Sequence, residues 1–146
     1  MSALRLVSQD LDSGARGRVL LIDDDLALLG LMAHAFAEAG YSVLTAENGR
    51  KGLVALERFK PDLVITDIVM PEMEGIGAIL QIRRRPSPPK IIAISDAGPG
   101  ARREYLNWAK HLGADEVLAK PFRMGQLVAL AQQVIQNNSN HLGRGS

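Results

Sequence analysis

Short apolar runs in this chain stop at residues able to do chemistry. Asp23, Asp24 and Asp25 follow Val19-Leu20-Leu21-Ile22, Asp67 follows Leu63-Val64-Ile65-Thr66, Ser95 follows Ile91-Ile92-Ala93-Ile94, and Lys120 follows Val117-Leu118-Ala119. Carboxylates, a hydroxyl and an ammonium at successive strand ends are the parts of a site that binds a divalent cation and handles a phosphoryl group. Carboxylates held close together repel, which raises at least one of their pKa values. A bound Mg²⁺ removes that cost, taking oxygen ligands from one or two carboxylates, waters and phosphate oxygens. Asp23, Asp24 and Asp67 are therefore the candidate metal ligands. Asp25 reads instead as a helix cap or a first-turn charge. Lys120 is a mobile point charge that can pair with Asp67 and then with a phosphoryl oxygen. Ser95 can donate a hydrogen bond to the same group. Taken singly, a serine at a strand end is turn chemistry and a lysine is a solvated charge; their joint spacing is what points to a site.

That site exists only if the strand ends meet. The runs beginning at Val19, Leu63 and Ile91 are apolar without alternation, which suits strands covered on both faces. Val43-Leu44-Thr45 and Val117-Leu118-Ala119 supply two more strands. Between them the spacing predicts helices bearing Leu28, Leu29, Met32, Ala33 and Phe36; Leu53, Val54, Leu56 and Phe59; Ile76, Ile79, Leu80 and Ile82; a segment from about Ala101 to Leu112; and Met124, Leu127, Val128, Ala131, Val134 and Ile135. Gly40 and Gly113 sit where glycine ends helices, and Asn48 and Pro61 bracket the second. Five strands alternating with five helices make right-handed βαβ units, an α/β fold with a parallel sheet. Such a sheet gathers the C-terminal ends of its strands in one crevice.

The 146 residues are 47% hydrophobic and 23% charged, with a net charge of +1. One domain is expected, running from Arg18 to Gln136. Residues 1–17 read as a flexible extension, and residues 137–146 as a polar tail. A charge so near neutral gives no reason to expect nucleic acid or an anionic membrane as the main partner. The absence of cysteine excludes disulfides, thiolate catalysis and Cys-based zinc sites. No apolar run is long enough to span a membrane, and the N-terminus lacks the apolar stretch of a signal peptide, so a cytoplasmic location is the expectation.

Ile22-Asp23-Asp24, Asp67 followed by Met70-Pro71, Ser95, and Lys120-Pro121-Phe122 resemble the signature of a response regulator receiver domain, in order and spacing, over roughly Arg18 to Gln136. The resemblance implies a doubly wound, flavodoxin-like fold with strand order 2-1-3-4-5. It implies that Asp67 is the phosphoacceptor and Asp24 a direct ligand of Mg²⁺ (or Mn²⁺). Asp23 would act largely through coordinated water, and the backbone carbonyl of Val69 would complete the protein ligands. Lys120 would bind a phosphoryl oxygen, Ser95 would move toward it, and the Lys120-Pro121 peptide would be cis. The phosphoryl donor would be a histidine kinase, a phosphotransfer protein or acetyl phosphate. The protein would catalyse only its own phosphotransfer and dephosphorylation. With no effector domain expected after Ile135, its output would be contact with another protein.

Two rivals share parts of this chemistry. A phosphohydrolase of the haloacid dehalogenase type needs a second Asp two residues after the nucleophile, where this chain has Val69, and a cap domain for which there is no space. A receiver-like scaffold that binds partners but is never phosphorylated has no use for the full set of acids, Ser95 and Lys120, while Val117 is consistent with it. Flavin binding fits less well, because the first βα loop is acidic where it should cradle a phosphate.

The chain departs from the receiver pattern at Val117, where many members carry Tyr or Phe three residues before the lysine. An output change is therefore expected through Asp96–Gly100 and the helix carrying Tyr105 and Trp108. Val69 and Ala97 occupy the positions that flank the hydrolytic water in that family, and neither side chain can orient it. Self-dephosphorylation should accordingly be slow. Following the loss of an isolated phosphoryl adduct over time checks this, and a half-life of only seconds would contradict it.

Overall fold

The computed structural model describes residues 5–6, 16–67, 74–95, 107, 110–111 and 113–143. Along the chain these form β1 (Arg5–Leu6), β2 (Arg18–Ile22), α1 (Leu26–Glu38), β3 (Ser42–Ala46), α2 (Gly49–Phe59), β4 (Leu63–Asp67), α3 (Glu74–Arg83), β5 (Lys90–Ser95), β6 (Glu116–Ala119) and α4 (Met124–Gly143). The sheet order is β1-β3-β2-β4-β5-β6. The five strands from β2 to β6 are all parallel. Counted among themselves they run 2-1-3-4-5, the order expected from the sequence.

Successive residues on a strand point to opposite faces, and here that alternation divides the core in two. Val19 and Leu21 of β2 join Leu29, Met32 and Phe36 of α1 and Leu127, Ala131 and Val134 of α4. Leu20 and Ile22 join Ala55, Leu56 and Phe59 of α2 and Ile79 and Ile82 of α3. Helices on both faces explain the unbroken apolar strands. Each fully buried large side chain, Phe36 and Met32 among them, contributes about 1.5–3 kcal/mol.

Helix ends are set locally. Asp25 caps α1, its Oδ1 accepting from the Leu28 amide at 3.1 Å, and Asn48 caps α2, accepting from Lys51 at 2.9 Å. Gly40 (φ 99°) and Gly113 (φ 121°) take the left-handed conformation that glycine adopts at least cost. Lys60 does so at the end of α2 without being glycine, one residue before Pro61. At the lower end of the sheet two acids tie strand starts together: Asp62 accepts from the Arg18 amide at 2.9 Å, and Asp115 accepts from the Ile91 amide at 2.8 Å.

Two features depart from the sequence reading. Arg5–Leu6, inside the expected flexible extension, forms an antiparallel edge strand opposite Thr45 and Leu44. Two residues are too few to carry a periodic signal. Helix α4 continues to Gly143 through the stretch expected to be a polar tail; residues 137–142 are polar apart from Leu142 but contain no proline or glycine to stop a helix. The helix expected near 101–112 falls mostly outside the described residues; within that span Asn107, Lys110 and His111 are described, and all three are helical. Among the described residues, no helix is long and apolar enough to cross a membrane.

Beneath the C-terminal end of β2, α2 lies unusually close to that strand. A Cβ placed on Gly52 would overlap the Ile22 side chain, reaching within 2.9 Å of its Cγ1. Ile22 is itself buried and immediately precedes Asp23. Gly52→Ala is expected to lose about 1–3 kcal/mol to overpacking, more than the gain in helix propensity of about 1 kcal/mol. Chemical denaturation checks this, and a variant at least as stable as the parent would show that α2 shifts freely.

Candidate functional site

The upper ends of β2, β4, β5 and the segment after β6 bring the sequence-predicted residues together. Asp23 leaves β2 with its amide on the Ala46 carbonyl of β3 at 3.1 Å, and the Asp25 amide donates to its Oδ1 at 2.9 Å. These contacts hold the carboxylate inward, fully buried. Asp24, one residue on, is exposed at the mouth. Asp67 is the last residue of β4 and Ser95 the last of β5, both buried. The Lys120 amide donates to the Ser95 carbonyl at 2.8 Å, anchoring the chain as it leaves β6. The Lys120–Pro121 peptide is cis.

The Lys120 ammonium bridges the two buried carboxylates, 2.9 Å from Asp67 Oδ2 and 3.6 Å from Asp23 Oδ2. The contact with Asp67 is a hydrogen bond, charge-assisted and of the stronger kind. Asp23 Oδ2 has no hydrogen-bond partner although it is buried. Carboxylate oxygens of Asp23, Asp24 and Asp67 lie within 4.8 Å of one another. A buried carboxylate oxygen lacking a hydrogen bond, beside two more carboxylates, is a donor set for a hard divalent cation. Oxygen ligands of this kind suit Mg²⁺, Mn²⁺ or Ca²⁺ rather than a soft metal.

Electrostatics favour the same occupant. Burial raises Asp23 from its ordinary 3.8 to about 6; the Asp67 and Asp24 charges push the same way, while the Asp25 amide and Lys120 oppose them. With every group ionised, the carboxylates outnumber the ammonium by two charges, which one divalent cation offsets.

Val69, Met70-Pro71, Asp96–Gly100, Tyr105 and Trp108 lie outside the described residues. Val117 is half-buried and packs against the α2–α3 side of the core, opposite Ala93 of β5. Sequence reasoning found the site side chains but missed what aims them. Asp23 is oriented by the backbone of Ala46 and Asp25, and backbone partners leave no residue-type signal.

A family model described as response regulator receiver domain matches residues 19–132. The chain belongs to that family. This receiver is therefore a signalling switch of two-component systems. It is 32% identical over 130 residues to a probable transcriptional regulator ycf27 from Guillardia theta, covering 89% of this chain and 50% of that protein. It is 36% identical over 123 residues to the DNA-binding transcriptional regulator NtrC of Salmonella typhimurium, covering 84% of this chain and 25% of NtrC. The receiver thus spans half or less of these curated relatives. The solved structure of a CheY-like response regulator receiver domain protein from Methanospirillum hungatei JF-1 superposes with a TM-score of 0.75 at 26% identity, covering 85% of this chain and 97% of that one.

The raised Asp23 pKa fixes the sign of a pH effect. Between pH 3.8 and about 6 the folded, metal-free receiver holds a proton that the unfolded chain releases. Its stabilising effect is complete below 3.8 and is lost as pH rises through 6. Thermal melts in EDTA should therefore rise as pH falls from 7.5 to about 5.5, before other carboxylates titrate. With millimolar Mg²⁺ the trend should reverse, because protonation competes with the ion. Melts that follow the same pH trend with and without the ion would exclude Asp23 from the metal site.

Proposed function

We propose that this receiver accepts a phosphoryl group on Asp67 and passes the change to another protein by contact. The observation that carries this reading is the Lys120 ammonium on Asp67 Oδ2 at 2.9 Å, with the carboxylates of Asp23 and Asp24 beside it. A carboxylate nucleophile needs no general base. An Asp67 oxygen attacks phosphorus while the bond to the donor breaks: N–P in a phosphohistidine of a histidine kinase or phosphotransfer protein, O–P in acetyl phosphate. The leaving group departs with the electron pair, and a mixed anhydride remains on Asp67.

Asp23, Asp24, Asp67 and the Val69 carbonyl would hold Mg²⁺, which when bound offsets phosphoryl charge and fixes the line of attack. Lys120 transfers its ion pair from Asp67 to a phosphoryl oxygen as that carboxylate loses its charge. Ser95 lies at the end of the neighbouring strand, in register with Ala119, and donates its hydroxyl to the same group. Its inward movement would bias the segment after β5 between two arrangements, so that phosphorylation becomes a shift in surface population. Val117 gives this relay no aromatic ring to move, leaving Ser95 as its starting point. The setting proposed is the cytoplasm, where the kinase's phosphohistidine is available.

Intact-mass analysis after incubation with acetyl phosphate and Mg²⁺ should show one added phosphoryl group. Asp67→Asn and EDTA should each abolish it, and Lys120→Ala should slow its appearance by about 100-fold, as expected for losing one preorganised charge partner. An adduct that survives Asp67→Asn would overturn the assignment of the acceptor.

A further inference from the structure

Two separate restraints on Asp23 lead back to the first turns of α2. The Ile22 side chain lies on the α2–α3 side of the core, and a Cβ added at Gly52 would overlap it. At Gly30, Gly77 and Gly125, also within helices, an added Cβ would meet no neighbouring atom within 4 Å. The second restraint is the Ala46 carbonyl, which accepts from the Asp23 amide at 3.1 Å. Ala46 lies two residues before Asn48, the cap of α2, whose carbonyl accepts from the Gly52 amide at 2.9 Å. Within the plane of the sheet Ile22 is already fixed by its partners Ala46 and Thr66. Perpendicular to that plane its position is set by what packs against its side chain, and there Gly52 presents bare backbone.

Taking Asp23 as part of the Mg²⁺ site proposed above, on which this rests, we infer that Gly52 is a positioning residue for the cation. By admitting Ile22 against the α2 backbone it sets the depth of Asp23, and with it the preference for Mg²⁺ over a larger ion. Asp23 cannot correct a misplaced backbone by turning its side chain. The residue is fully buried, and its Oδ1 accepts from the Asp25 amide at 2.9 Å. That leaves Oδ2, which has no hydrogen bond, as the oxygen to meet an ion or its water. Mg²⁺ demands near-octahedral ligands at about 2.0–2.1 Å and keeps its waters in the same octahedron, whereas Ca²⁺ accepts about 2.3–2.6 Å and irregular geometry. A small displacement of Asp23 therefore costs Mg²⁺ more than Ca²⁺.

Isothermal titration calorimetry on the full chain, stripped of metal with EDTA and dialysed, reads Mg²⁺ and Ca²⁺ affinity without any phosphotransfer. Gly52→Ala should weaken Mg²⁺ binding about 10-fold, the lower end of what loss of an orienting group costs a metal site, and Ca²⁺ binding clearly less. Ile22→Val removes Cδ1, the atom nearest the added Cβ, so Ile22→Val/Gly52→Ala should recover most of the Mg²⁺ affinity. Ile82→Val loosens the same side of the core from α3 and should leave both affinities at the parental value. If Gly52→Ala does not fold, the double variant decides: a parental preference for Mg²⁺ supports the inference, and a lost one overturns it. Unchanged Mg²⁺ binding in Gly52→Ala, equal losses for the two cations, or the same loss in Ile82→Val would each overturn it, as would a loss that Ile22→Val fails to restore. A parent that binds neither cation would remove the metal reading itself, and this inference with it.

Discussion

The upper end of the sheet is organised around one unfavourable fact: two carboxylates, Asp23 and Asp67, are buried on neighbouring strands. Burying one ion costs several kcal/mol even after relaxation, and a second like charge adds to the cost. The Lys120 ammonium offsets part of it from between them, closer to Asp67 than to Asp23. The remainder shows in the raised pKa of Asp23 and its oxygen without a hydrogen bond. A site in this condition favours any positive charge that fits, and it would change if one of its carboxylates became an acyl phosphate. Instability of this kind suits a switch, because a structure with no stored conflict has little to release.

The rest of the fold makes the conflict sustainable. β2 and β4 pair from Val19 with Leu63 to Ile22 with Thr66, so Asp23 and Asp67 emerge side by side with no freedom to move apart. Below them the alternating core fixes the strands from both faces. Ile22, gripped by α2 through the close approach at Gly52, sets the height at which Asp23 begins. Strain at the site is held by ordinary packing a few ångströms beneath it.

Much of this was legible in the sequence because the informative segments obey one dominant rule each. The solid apolar runs of β2, β4 and β5 can be little other than doubly covered strands, and Asp25 and Asn48 sit where caps belong. The residues that meet in the crevice were likewise readable from strand ends. What escaped depends on partners far away in the chain. β1 is defined by its pairing with Thr45 and Leu44 rather than by its own two residues. Asp62 and Asp115 are unremarkable acids until the amides of Arg18 and Ile91 reach them. Asp23 and Asp24 are identical neighbours, yet one is buried and the other exposed. That difference belongs to the exit angle of β2, which no residue type encodes.

The Lys120–Asp67 hydrogen bond joins residues 53 positions apart. The other meeting points of the site also lie on different strands, so no fragment of the chain contains a working part of it. Contacts this distant carry a loop-closure cost that the packed core must offset. During synthesis Asp67 leaves the ribosome long before Lys120 does, and the pair cannot form in the interval. A receiver built this way cannot report a signal before it has finished folding.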